Sequence, residues 1–309
     1  MILINNDFKR VVQKSTYVAL GSFDGIHKGH LALINKSNEL SRKNDSLSMV
    51  YTFKNHPRKF INKEGSPKLL VTLHEKIRIL EDLKVDLSSF VEFNKKFMEL
   101  EPEEFIENLI KNYNVRGIVV GFNYRFGHKN KGDVKLLKEL CDLKGLELYV
   151  IEPFTYKSEV VSSTRIRKAL SEGELEDANN MLGRYFSLNG EVVSGKKIGR
   201  TINFPTANLK NNDEIILPKI GVYYTNVEVN GEIYKGITSV GNNPTVNGKN
   251  TTVETHILNF DEDIYGKHIK LYFISKIRNE KKFNSLEELK EQLIKDKKFA
   301  EESNIKISL

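Results

Sequence analysis

Two histidines three residues apart, His27 and His30, stand in a glycine-dense segment in which residues 21–30 read Gly-Ser-Phe-Asp-Gly-Ile-His-Lys-Gly-His, directly after a short apolar run. Gly21 and Gly25 open turn geometries closed to other residues, and Gly29 keeps a side chain from coming between the two rings. Histidines at i and i+3 share one face of a helix. If a helix begins here, its first amides and the positive end of its dipole join the two imidazoles as a cradle for phosphate oxygens. The chemistry that suits such a cradle is phosphoryl or nucleotidyl transfer. Two other readings stand beside it. The pair could be half of a metal site, although no third and fourth ligand follow at a familiar spacing and the chain has one cysteine. It could also be two unrelated surface histidines.

The elements that must position these residues fall into two regimes. From 17 to about 170, apolar runs at 17–20, 47–53, 88–93, 117–121 and 146–151 alternate with helical stretches such as 103–113, where Phe105, Ile106, Leu109 and Ile110 form one stripe and Pro102 suits the first turn. Alternation of this kind predicts a Rossmann-like parallel α/β sheet covered on both faces. Ligands would then sit beyond the carboxyl ends of the strands, where His27, residues 55–58 and residues 123–127 fall. After about residue 184 the period becomes two. Strands are expected at 186–193, 224–234 (a hairpin turning at Asn230-Gly231), 235–240, 252–258 and 269–277, closing a small antiparallel β-barrel. A last helix is expected over 285–295, with Ser285 as its cap and Glu288 as capping-box partner. The domains divide as 1–183 and 184–309, joined through the stretch around 171–184.

The 309 residues suit two domains. Lys plus Arg number 48 against 41 Asp plus Glu, a net +7 that fits anionic small substrates or nucleic acid. The basic residues are spread along the chain rather than blocked, which favours the small substrates. No apolar run approaches the roughly 20 residues needed to cross a bilayer, and the opening Met-Ile-Leu-Ile-Asn-Asn-Asp lacks the basic flank and cleavage site of an export signal. A cytoplasmic protein without a membrane or nucleic-acid partner is expected, with its oligomeric state undetermined. Cys141 lies in a helical pattern with Val134, Leu137 and Leu140 and reads as a small buried apolar residue.

Eight segments, in order, resemble the bifunctional riboflavin kinase/FMN adenylyltransferases, also called bacterial FAD synthetases. In the first half these are residues 21–30, Thr-Phe-Lys-Asn-His-Pro-Arg at 52–58, Gly-Phe-Asn-Tyr-Arg-Phe-Gly at 121–127 and Val-Ser-Ser-Thr-Arg-Ile-Arg at 161–167; in the second they are 190–200, Phe-Pro-Thr-Ala-Asn-Leu at 204–209, 218–223 and Glu-Thr-His-Ile at 254–257. The resemblance spans essentially the whole chain. It implies that the C-terminal half phosphorylates riboflavin to FMN and the N-terminal half joins FMN to ATP, giving FAD and pyrophosphate, with Mg²⁺ as cofactor and ATP as co-substrate.

Residue by residue, the resemblance implies catalytic roles for His27, His30 and Glu254, the last as the base for the riboflavin 5′-hydroxyl. It implies ATP or phosphate contacts for Gly21, Phe23, Asp24, Gly25, His27, His30, Asn123, Ser163, Thr164, Arg165, Gly195, Thr206 and Asn208. Thr206 and Asn208 would also face Mg²⁺, and His56, Pro57, Arg58 and Arg278 would face the flavin. Plainer readings exist for several of these. Residues 162–164 could simply cap a helix, Asn123 could satisfy a turn, Arg58 could be a solvated loop arginine and Glu254 an exposed strand glutamate. Tyr124 stands where the family more often has phenylalanine. Asn203 stands where glycine is expected, and asparagine tolerates the positive φ such a turn needs. A flavin- or nucleotide-binding protein retaining only one of the two activities is the alternative function.

Overall fold

The apolar runs of the first half become parallel strands in the computed structural model, which describes residues 1–5, 12–55, 60, 66–195, 199, 202–210, 212–245 and 248–308. Met1–Ser163 and Thr164–Leu309 form two units by their internal contacts. In the first, strands β1 (Ile2–Asn5), β2 (Thr16–Leu20), β3 (Leu47–Phe53), β4 (Leu87–Val91), β5 (Val115–Gly121) and β6 (Glu147–Ile151) make one sheet in the order β1-β4-β3-β2-β5-β6. Every pairing in it is parallel. Helices α1 (Lys28–Lys43), α2 (Leu73–Asp82), α3 (Lys95–Met98), α4 (Pro102–Tyr113) and α5 (Val134–Lys144) connect the strands.

Strand periodicity explains the two cores. Successive side chains point to opposite faces, so Val18 and Leu20 pack with Phe105, Leu109 and Tyr113, while Tyr17 and Ala19 pack with Ile34, Leu40 and Leu80. Pro102 opens α4, and Phe105, Ile106 and Leu109 are its buried stripe, as the spacing predicts. Cys141 is fully buried in the first core, and burial pushes its thiol up to about 11. Strand β1 is absent from the sequence expectation. Of its apolar residues only Ile4 is deeply buried, so it carries little of the pattern that marks an inner strand.

The strand order fixes where a ligand can enter. The chain runs from β2 through β3 and β4 on one side and returns to β5 on the other, so β2 and β5 flank the point where winding reverses. Segments following these two strands open on one crevice. They are the histidine turn and residues 121–127.

Two short antiparallel strands, β7 (Thr155–Tyr156) and β8 (Glu159–Val160), follow β6. Helix α6 (Ser163–Glu172) begins at the boundary of the two units and is followed by α7 (Leu175–Leu182), so the expected connecting stretch is largely helical. Strands β9 (Ser187–Val193), β10 (Ala207–Leu209), β11 (Gly221–Val229), β12 (Glu232–Thr245), β13 (Gly248–Ile257) and β14 (His268–Arg278) then close a barrel in the order β10-β13-β12-β11-β14-β9. The β11–β12 hairpin turns at Asn230 and Gly231 with φ of 54° and 83°, the paired positive values that this dipeptide favours. The expected strand 235–240 is part of β12 rather than a separate element. In β13, Val253, Thr255 and Ile257 are buried, and the Thr255 hydroxyl accepts from that of Thr238 at 2.9 Å inside the barrel.

Helix α8 (Leu286–Glu302) runs farther than the expected 285–295. Ser285 caps it by accepting from the Glu288 amide at 3.2 Å, whereas the Glu288 carboxylate reaches back to the Asn284 amide, one residue before the usual capping-box partner. Arg278 at the end of β14 fastens the helix: Nη2 lies 2.8 Å from Oδ2 of Asp296, whose side chain is 1% exposed. Gln292 donates to the same carboxylate. Arg278→Ala is therefore expected to destabilise this unit by about 3 kcal/mol, because it strands a buried charge. Chemical denaturation of the variant measures the loss.

Candidate active sites

The turn after β2 is built from unusual backbone. Phe23, Gly25 and Ile26 have φ of 46°, 81° and 39°, a conformation that costs bulky residues of order 1–3 kcal/mol each and persists only when neighbours hold it. Those neighbours are visible. The Ser22 carbonyl accepts from the Thr52 hydroxyl at 2.9 Å and from Lys76 Nζ at 3.0 Å. Asp24 Oδ1 accepts from the Leu70 amide at 3.1 Å, and the Asp24 carbonyl accepts from the Ser163 hydroxyl at 2.8 Å.

The expected helix does begin here, and His27 is the N-cap of α1: its Nδ1 accepts from the His30 amide at 3.3 Å. The ring of His30 then stacks on that of His27, with centroids 3.6 Å apart and planes 16° apart. A side chain at position 29 would stand 3.2 Å from the His27 ring, so glycine there keeps the stack clear. The cap also settles a tautomer. A neutral ring that accepts at Nδ1 carries its proton on Nε2, which makes Nε2 a donor. A donor on a buried ring at a helix N-terminus suits an anion. Among the described residues, no group of three or more His, Cys, Asp or Glu could hold a metal ion.

Asn123 follows β5 in an exposed turn, with the Tyr124 amide bonded to the Gly121 carbonyl. Ser163 opens α6 and spends its hydroxyl on the histidine turn; Thr164, exposed, and Arg165, half-buried, come next in that helix. His56, Pro57 and Arg58 lie outside the described residues. Lys76 was missed by the sequence reading. It sits four residues before Leu80 on the buried side of α2, and a lysine in an apolar stripe was the available signal.

In the barrel, Asn208 of β10 pairs directly with Glu254 of β13. Residues so placed have Cβ atoms about 5 Å apart. The Thr206 hydroxyl donates to Oε2 of Glu254 at 3.4 Å. A Cβ at Gly195 would fall 2.3 Å from Nδ2 of Asn208, so only glycine leaves space for that amide. His256, on the same strand, donates from Nδ1 to the Pro205 carbonyl at 2.8 Å and packs on Phe204, fixing the entrance to residues 204–209. Burial holds its imidazole below the usual range. Asn203 has a φ of 62°, so asparagine makes the turn for which glycine was expected. Arg278 is engaged with Asp296, as described above.

A family model described as FAD synthetase matches residues 9–165, and one described as riboflavin kinase matches 182–304. The bifunctional riboflavin kinase/FMN adenylyltransferase of Bacillus subtilis is 37% identical over 93% of this chain and 92% of its own length, and that of Escherichia coli is 36% identical over 96% and 95%. The chain belongs to the bifunctional riboflavin kinase/FMN adenylyltransferase family. A crystal structure described as a macrolide-efflux protein from Streptococcus pneumoniae matches with a TM-score of 0.90 and 33% identity, covering 98% of this chain and 100% of that one. That likeness shows the fold, and the efflux description stays with the pneumococcal protein. Among the described residues, no helix is long and apolar enough to cross a membrane.

Proposed function

We propose that the enzyme's two activities occupy separate sites, with residues 184–309 phosphorylating riboflavin and residues 1–183 transferring the adenylyl group of ATP to the resulting FMN. The observation that carries this division is the gathering of Glu254, Asn208 and Thr206 on the barrel, in a chain whose other unit holds His27 and His30 at a sheet switch point.

In the kinase site, Glu254 accepts the proton of the riboflavin 5′-hydroxyl as that oxygen attacks the γ-phosphorus of ATP, releasing ADP. Thr206, already bonded to the carboxylate, holds it on the side of Asn208. The hydroxyl, amide and carboxylate oxygens here form a hard donor set suited to Mg²⁺. Thr206 and Asn208 would hold the ion, which when bound neutralises charge on the ATP phosphates. Gly195 leaves room for Asn208 to take part. Arg278, held by Asp296, presents a fixed guanidinium at the flavin end.

In the adenylyltransferase site, an FMN phosphate oxygen attacks the α-phosphorus of ATP and pyrophosphate leaves, with no covalent enzyme intermediate. His27, through Nε2, and His30 donate to the phosphates; Gly21, Phe23, Asp24 and Gly25 shape the turn; Asn123, Ser163, Thr164 and Arg165 complete the nucleotide contacts, and residues 56–58 meet the flavin. Such a site works by positioning reactants and stabilising charge that develops on the transferring and leaving oxygens. Both reactions consume ATP, and we place the enzyme in the cytoplasm. The test supplies riboflavin, ATP and magnesium and resolves the flavins by chromatography. FMN followed by FAD is expected, and the appearance of neither would reject the reading.

A further inference from the structure

Lys76 is a lysine buried to 7% exposure in α2, and its ammonium donates to two backbone carbonyls, Ser22 at 3.0 Å and Phe53 at 3.4 Å. These oxygens belong to the segments leaving β2 and β3, so the charge ties the carboxyl ends of two neighbouring strands together. Beside it lies a small, partly open pocket whose polar lining is Ser22, Asp24, Lys54, Asn55 and Lys76. A burial of this kind is costly, and a fold that needed only to satisfy the Ser22 carbonyl has a neutral donor in place, the Thr52 hydroxyl at 2.9 Å. The charge calls for a use of its own.

Peptide geometry supplies one. A trans peptide is planar with its C=O and N–H on opposite sides, so a carbonyl of Ser22 drawn toward Lys76 turns the Phe23 amide the other way. Rotation of that peptide would exchange a donor for an acceptor in the turn. Phe23, with its φ of 46°, is in a conformation that a bulky side chain resists, so an opposing force is needed. Charge-assisted hydrogen bonds are about twice as strong as neutral ones. We propose that Lys76 is a positioning residue for adenylyl transfer: its ammonium locks the Ser22–Phe23 peptide, and the histidine turn with it, in the orientation that offers N–H rather than C=O to an anionic phosphate. This rests on the adenylyltransferase reading of the first unit.

The locking form is the protonated one, and burial lowers the Lys76 amine to about 8, against an upward pull from Asp24. The charged groups lining the pocket with it are Asp24 on the turn and Lys54 beyond β3. Adenylyl transfer is therefore expected to decline as pH rises through about 8. Arginine stays charged across this range.

The experiment measures kcat/KM for adenylylation of supplied FMN against pH in the full-length enzyme, Lys76→Met and Lys76→Arg, with riboflavin phosphorylation by the same samples as an internal reference. Lys76→Met is expected to lose about 10²-fold, mainly in kcat, as misplacement of a reacting group does, while phosphorylation persists. Lys76→Arg is expected to recover most of the rate and to lack the alkaline decline. Full activity of Lys76→Met, or an alkaline decline unchanged in Lys76→Arg, overturns the proposal. If Lys76→Met does not fold, the pH profile of Lys76→Arg decides alone. Failure of the unsubstituted enzyme to adenylylate FMN would instead reject the function proposed above.

Discussion

Glu254→Gln is expected to slow riboflavin phosphorylation by about 10²- to 10⁴-fold, the range over which a positioned general base contributes, while adenylylation of supplied FMN continues. Glutamine keeps the shape of the side chain and an oxygen to accept from Thr206, so the 3.4 Å contact and the pairing with Asn208 can survive. What it loses is the capacity to take a proton. Glu254 is half-buried on the outer side of β13, whose neighbours Val253 and Thr255 fill the barrel, so the substitution leaves the core untouched. The measurement is an initial rate of FMN formation, with FMN adenylylation in the same preparation. A variant that phosphorylates riboflavin at the normal rate would remove Glu254 from the chemistry.

His30→Ala is expected to lower FAD formation by about 10²- to 10³-fold, the cost of one preorganised donor to developing negative charge, and to leave FMN accumulating. The substitution deletes one ring of a stack but preserves the backbone amide that His27 accepts, so the α1 cap is retained. His27→Ala removes the cap as well and is expected to cost about 1 kcal/mol of stability besides activity. The alanine variant at 30 is the cleaner probe for that reason. Chromatography of products from riboflavin and ATP reads the result directly. Loss of both FMN and FAD from a folded His30→Ala protein would contradict two separate sites.

The parts of this molecule that the sequence made legible are those in which a local pattern has one physical outcome. Alternation of apolar runs with helical stripes leads to a covered parallel sheet, and the Asn230-Gly231 turn between β-periodic runs leads to a hairpin. The face shared by Glu254 and His256 follows from a period of two, because Val253, Thr255 and Ile257 are drawn into the barrel. Asn203 adopts the left-handed backbone that its side chain tolerates. Strand β1 was not legible, since an edge strand with one deeply buried residue needs little pattern. The cap made by His27 was hidden too, because i, i+3 spacing fits both a residue inside a helix and one just before it. Lys76 is the clearest case: its meaning depends on carbonyls 54 and 23 positions away, which no local window contains.

The most direct test of two sites acting at two different phosphorus atoms is to follow ATP labelled separately at its α- and γ-phosphates into FAD, starting from riboflavin and, in parallel, from FMN. From riboflavin, FAD is expected to carry one phosphate from each label; from FMN, only the α-label, with the γ-label leaving in pyrophosphate. FAD made from riboflavin without γ-label, or FAD made from FMN without α-label, would contradict the account.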